Sequence, residues 1–223
     1  MRQLILIIIL LCAVLGLAAE EIIISPVEYH MLNMKDYDLN LTLSGKMGVF
    51  YANLSFEVVQ DADSIPDFYS LFLAKDAKIE RFMINGQGIE YYTTTDLHPK
   101  HFVPEFPDSL LLQDDSPLTC YSFDPELFEP ENTQVFIEYS FPIPEWDTNE
   151  AGEEILALGD IPFFFPRNIY HPTKLSLHLL TTVFYELLDA DRVDIHGNLK
   201  RSHKVILDNY GDDIVINIKK VLN

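Results

Sequence analysis

The chain has 223 residues, with 35 acidic against 15 basic side chains and a formal net charge of −20 at pH 7. A surface of that sign repels phosphate, which excludes nucleic acid as a partner and disfavours anionic lipid. A hydrophobic fraction of 48% and an aromatic fraction of 12% supply enough apolar surface for a real core, which excludes disorder for the body of the chain.

The first charge, Arg2, precedes an apolar run from Leu4 to Ala19 that closes on Leu17-Ala18-Ala19. A positive start, an apolar middle and small residues at the end describe a secretory signal peptide over residues 1–19. Cleavage after Ala19 or Ala18 would leave a single domain over residues 20–223, secreted or periplasmic, with no membrane span. The alternative is an uncleaved anchor, for which sixteen apolar residues are few against the roughly 20 that a spanning helix needs. Cys12 lies in mid-run behind the bulky Leu11, which argues against lipidation. Cys120 is then the only cysteine of the processed chain, so no internal disulfide forms and the fold relies on its core.

Beyond the leader, apolar residues recur with period two. Tyr37, Leu39, Leu41 and Leu43 alternate with Asp38, Asn40 and Thr42, and Ala52, Leu54, Phe56 and Val58 alternate with Asn53, Ser55 and Glu57. Such alternation predicts two half-buried strands, joined as a hairpin through Ser44–Gly48. Asn40 and Asn53 open glycosylation-type tripeptides, but both fall inside these strands and read as strand residues. An acidic loop, Asp61–Asp67, follows. Phe68–Leu73 and Ile79–Ile84 are the next strands. The two glycines of Asn85-Gly86-Gln87-Gly88 then supply the positive φ of a tight turn into a strand over Ile89–Thr93.

Six prolines punctuate Thr94–Pro130 and leave one strand there, around Leu118–Phe123. Gln134–Phe141 is a strong strand. Ile155–Leu158 reads as a short strand or turn, and Ile161–Pro166 as an aromatic segment held by prolines at both ends. Leu175–Leu179 opens another alternating strand, while Val183–Leu188 fits a strand or a helical turn. Lys204–Leu207 and Ile214–Ile218 read as a hairpin through Asn209–Asp212. The sum is an all-β chain, an antiparallel β-sandwich of roughly eleven to thirteen short strands, since many short strands bury their apolar faces only against another sheet.

Constellations for chemistry are sparse. His98 and His101 stand three apart across Pro99, which disfavours a helical ligand pair. No His-Glu-x-x-His occurs, so zinc is not expected. Asp189 and Asp191 start like a calcium loop, but Asp194 and Lys200 stand where it needs a glycine at position six and a glutamate at twelve. No Gly-x-Ser-x-Gly elbow or glycine-rich phosphate loop is present, and no cofactor is expected. Cys120 sits among apolar neighbours and reads as a buried small hydrophobe. The remaining candidates are aromatic. Trp146, Phe163, Phe164, Phe165 and Tyr170 would either line a groove for a protein or peptide partner or form core and a loop folded over the open end of the sandwich.

The order of Tyr37–Leu43, Ala52–Val59, Leu71-Phe72-Leu73, Met83-Ile84-Asn85-Gly86, Ile137-Glu138-Tyr139, Trp146 and Phe164-Phe165-Pro166 resembles the N-terminal β-domain of aminopeptidase N-type zinc aminopeptidases. The resemblance runs from about Val27 to Val221 on short motifs. It implies that the family's zinc helix and substrate loop belong to a following domain, so none of those ligands carries over to a position here. The expectation is a non-catalytic binding or scaffold module. The second reading is an accessory domain partnering a separately encoded zinc peptidase.

Overall fold

The computed structural model describes residues 29–59, 66–74, 76–97, 118–128, 133–160, 163–168, 173–188, 190–196, 200–210 and 216–221. These residues form sixteen strands and two short 3-10 turns, with no α-helix among them. The all-β sandwich expected from the sequence is the observed architecture.

The largest layer is an eight-stranded sheet. Its members are β2 (Met34–Ser44), β3 (Val49–Val58), β5 (Lys78–Ile84), β6 (Gln87–Gly88), β9 (Thr133–Pro142), β12 (Thr173–Thr182), β14 (Arg192–His196) and β15 (Lys200–Tyr210), in the order β14-β15-β12-β2-β3-β9-β5-β6. The alternation in the sequence becomes a division between two faces. Leu39, Leu41, Leu54, Ile137, Leu175 and Leu177 are buried on the inner face, while Asp38, Asn40 and Asn53 face outward and are exposed. Register places Asn40 opposite Asn53, so both glycosylation-type asparagines lie on that outer face.

The second layer is a four-stranded sheet, β1 (Tyr29–Met31), β4 (Phe68–Ala74), β8 (Leu118–Phe123) and β7 (Tyr92–Leu97), in the order β1-β4-β8-β7. Every residue of β8 is buried, so both of its faces are covered. Phe82 of β5 meets Phe123 of β8 edge to face at 5.1 Å, joining the layers. A third, small sheet has the order β10-β11-β16-β13, from β10 (Asp147–Thr148), β11 (Glu154–Ala157), β16 (Asn217–Lys220) and β13 (Tyr185–Leu187). Its buried Leu156, Leu187 and Ile218 belong to the same continuous apolar core as the two larger sheets.

Three local expectations change. Two pairings are parallel, β1 with β4 and β2 with β12, because an alternating pattern specifies a buried face but not the direction of the neighbour. The turn after β5 takes its positive φ from Asn85 (49°) and Gly86 (79°), the pair a type I′ turn requires, and not from two glycines. Residues 89–91 then leave the ladder before β7. Finally, β15 and β16 belong to different sheets, so they do not pair as a hairpin. The leader, the histidines at 98 and 101, Asp189, and residues 61–65 and 211–215 lie outside the described residues.

Burial on the inner face carries the stability. Leu177, wholly inaccessible in β12, sits between Leu39 and Val205. Leu177→Ala is expected to cost about 2–5 kcal/mol, the usual range for a buried leucine. Asn53→Ala, on the exposed face of β3 in the same sheet, should stay within about 0.5 kcal/mol. Urea unfolding of both variants compares them directly.

Candidate functional site

The aromatic segment after β11 is the structural bridge between the layers. Phe163, Phe164 and Phe165 retain 4%, 3% and 0% of their accessible surface. Phe163 packs on Phe72 of β4 at 6.5 Å, and its carbonyl accepts the Ala74 N–H at 3.0 Å. Phe164 faces Phe141 of β9, and its carbonyl accepts the Tyr139 hydroxyl at 2.7 Å. Phe165 meets Tyr37 of β2 edge to face at 5.6 Å. Just beyond, the Asn168 amide donates to the Met34 carbonyl at 2.6 Å. Three consecutive rings and two consecutive carbonyls thus address both larger sheets, and their burial counts against a partner-binding role for these rings.

Trp146 has different neighbours. Its ring stacks on Tyr185 of β13 at 5.6 Å, with the Lys220 ammonium 5.9 Å from its centroid. Lys220 in turn pairs with Glu154 at 2.7 Å. The Tyr185 hydroxyl lies over Gly45, where an added Cβ would come within 2.2 Å of it. Trp146 therefore helps seat the small sheet against the β2–β3 turn. Tyr170 lies outside the described residues.

A feature that sequence reasoning missed is a cleft of about 500 Å³, lined by Phe68, Ile84, Asn85, Gln87, Gly88, Ile89, Glu90, Tyr92, Asp124 and Leu127. One wall is the β5–β6 turn and the segment running on to β7. The other is the start of β4 and the 3-10 turn that follows β8. Both walls are braced. Asn85 exchanges hydrogen bonds with Gln134 of β9, through its backbone N–H at 2.8 Å and its side-chain oxygen at 2.9 Å. Asp124 Oδ1 accepts the Glu126 N–H at 2.8 Å and caps the 3-10 turn. Tyr92 is 70% exposed and meets Phe68 edge to face at 5.9 Å. The signal was present in Tyr91-Tyr92, since adjacent residues of extended chain point to opposite sides. Tyr91 packs inward against Phe82 and Tyr121, which sends Tyr92 out.

The buried titratable groups are held neutral by their surroundings. Burial pushes the Cys120 thiol up, against opposing hydrogen bonds from Ser122 and Ser70. Burial raises Tyr121 to about 12 and lifts Tyr139 well above the ordinary phenol range. His203 of β15 is 1% exposed, and burial first, then the Arg201 charge, pushes it down against Glu186. Its Nε2 lies 3.3 Å from Thr181 Oγ1, and its Nδ1 has no hydrogen-bond partner among the described residues. No group of three or more His, Cys, Asp or Glu is placed to hold a metal ion among the described residues.

No family model matches the sequence, and no curated protein matches it. Solved structures do match in shape. Native leukotriene A4 hydrolase from Saccharomyces cerevisiae superposes with a TM-score of 0.55 at 13% identity, over 85% of this chain and 29% of that one. The M1 zinc metallopeptidase from Deinococcus radiodurans gives 0.53 at 15% identity, over 84% of this chain and 42% of that one. The chain thus spans less than half the length of these structures, consistent with the N-terminal β-domain resemblance read in its sequence.

Tyr139→Phe is expected to cost about 1–3 kcal/mol, because it strands the buried Phe164 carbonyl while keeping the ring. Urea unfolding measures that loss. For His203, the unfolded side chain takes a proton near pH 6.5 while the folded one resists it. The group's share of stability is therefore whole above about pH 6.5 and falls as the pH drops below it, through the lower folded value. His203→Gln should lose less melting temperature than the parent between about pH 7.5 and pH 5. Parallel profiles would show that His203 is not a source of acid sensitivity.

Proposed function

We propose that this chain is a non-catalytic accessory β-domain of the zinc-aminopeptidase type, working beside a peptidase catalytic unit outside the cytoplasm. The observation that carries the reading is the shape match, which takes in 84–86% of this chain but only 29–42% of the enzymes it matches. Burial pushes the Cys120 thiol up, which disfavours the thiolate that a nucleophile needs. Its leader-like start supports export. The domain's task on this reading is to hold a protein: the catalytic unit itself, or a peptide presented to it.

Affinity capture on the tagged chain from the secreted or periplasmic fraction of its own cells, followed by mass spectrometry, tests this. Enrichment of a protein that carries His-Glu-x-x-His is expected. Purified chain should leave aminoacyl p-nitroanilides uncleaved with or without added zinc. Hydrolysis that a chelator abolishes would overturn the non-catalytic reading.

A further inference from the structure

We propose that the cleft between the β5–β6 turn and the 3-10 turn after β8 binds an extended peptide through an arginine or lysine side chain next to an apolar one. Its size, about 500 Å³, falls within the roughly 300–1,000 Å³ of small-ligand sites and suits two or three residues of peptide. Its lining combines Phe68, Tyr92 and Leu127 with the carboxylates of Glu90 and Asp124, and contains no Lys, Arg or His among the described residues. Tyr92 and Leu127 are 70% and 39% exposed, an arrangement that costs solvation unless something covers it. An aromatic face beside carboxylates attracts a cation twice, through the ring quadrupole and through charge. The stem of a long basic side chain covers apolar surface at the same time. An acidic peptide meets repulsion at both carboxylates, and a neutral apolar one makes no use of their charge. The braced walls give the cleft a fixed shape before any ligand arrives, which lowers the ordering cost of binding. The inference is independent of the accessory-domain reading, because it needs only the cleft.

Isothermal titration of the full chain with the blocked peptides Ac-Leu-Arg-Leu-NH2, Ac-Leu-Gln-Leu-NH2 and Ac-Leu-Glu-Leu-NH2 tests the proposal. The arginine peptide should bind at least about tenfold more tightly than the glutamine one, and the glutamate peptide most weakly. Tyr92→Ala, Leu127→Ser and Glu90→Gln should each weaken the arginine peptide by about threefold to tenfold. All three positions are exposed, so unchanged melting curves confirm that each variant folds. Equal affinity for all three peptides, or no heat with any of them, overturns the proposal. So does an arginine preference that survives Tyr92→Ala and Glu90→Gln combined, since that is general attraction to a chain of net charge −20. Whether the capture experiment recovers a peptidase partner does not depend on any of these results.

Discussion

The contact on which the sandwich most depends is made by a segment that belongs to no strand. Phe163, Phe164 and Phe165 send their rings to β4, β9 and β2 in turn, and two of their carbonyls accept an N–H from the end of β4 and a hydroxyl from β9. Phe163 adopts a φ of 50°, a left-handed conformation that is strained for a bulky residue and costs on the order of 1–3 kcal/mol. Burial of one phenylalanine contributes roughly 1.5–3 kcal/mol, and three are buried together. The strain is therefore outweighed, and it lets consecutive rings reach different layers where a regular strand would send them alternately to two sides.

Against this core the surface charge contributes little. Lys35–Glu57 and Arg81–Glu138 span 3.1 and 3.2 Å between half-exposed or exposed side chains, and such pairs contribute about 0–1 kcal/mol. The acidity acts at longer range. It selects which partners approach, and it makes a cation the natural complement of a carboxylate-rimmed cleft.

Much of the fold is legible in the sequence, for a physical reason. β2, β3, β9 and β12 each bury one face and wet the other, so their side chains alternate along the chain as they do in space. What alternation omits is the identity and direction of the neighbour. Leu39 of β2 lies opposite Leu177 of a parallel strand and Leu54 of an antiparallel one, and nothing in the three leucines distinguishes the cases. The aromatic candidates were ambiguous for a related reason. A run of phenylalanines reports burial of large rings but not whether the covering surface belongs to the same chain. Trp146, the one tryptophan, is engaged by Tyr185 and Lys220, residues 39 and 74 positions away that only the fold brings near. The cleft was hidden because its walls come from three separate stretches of the chain, at Phe68, 84–92 and 124–127.

The low identity to the matched structures, 13% and 15% with TM-scores of 0.55 and 0.53, bears on where specificity resides. A sandwich needs apolar residues at alternate positions, and leucine, isoleucine, valine and phenylalanine substitute for one another there as long as volume is kept. Shape can therefore persist while nearly every residue changes. A binding preference has no such freedom, because moving one carboxylate or one ring changes the partner it favours. Two proteins can share this scaffold and have no recognition in common. The residues that give this chain its own recognition chemistry are then the exposed ones that line the cleft, Glu90, Tyr92, Asp124 and Leu127, which the two larger sheets hold at fixed positions.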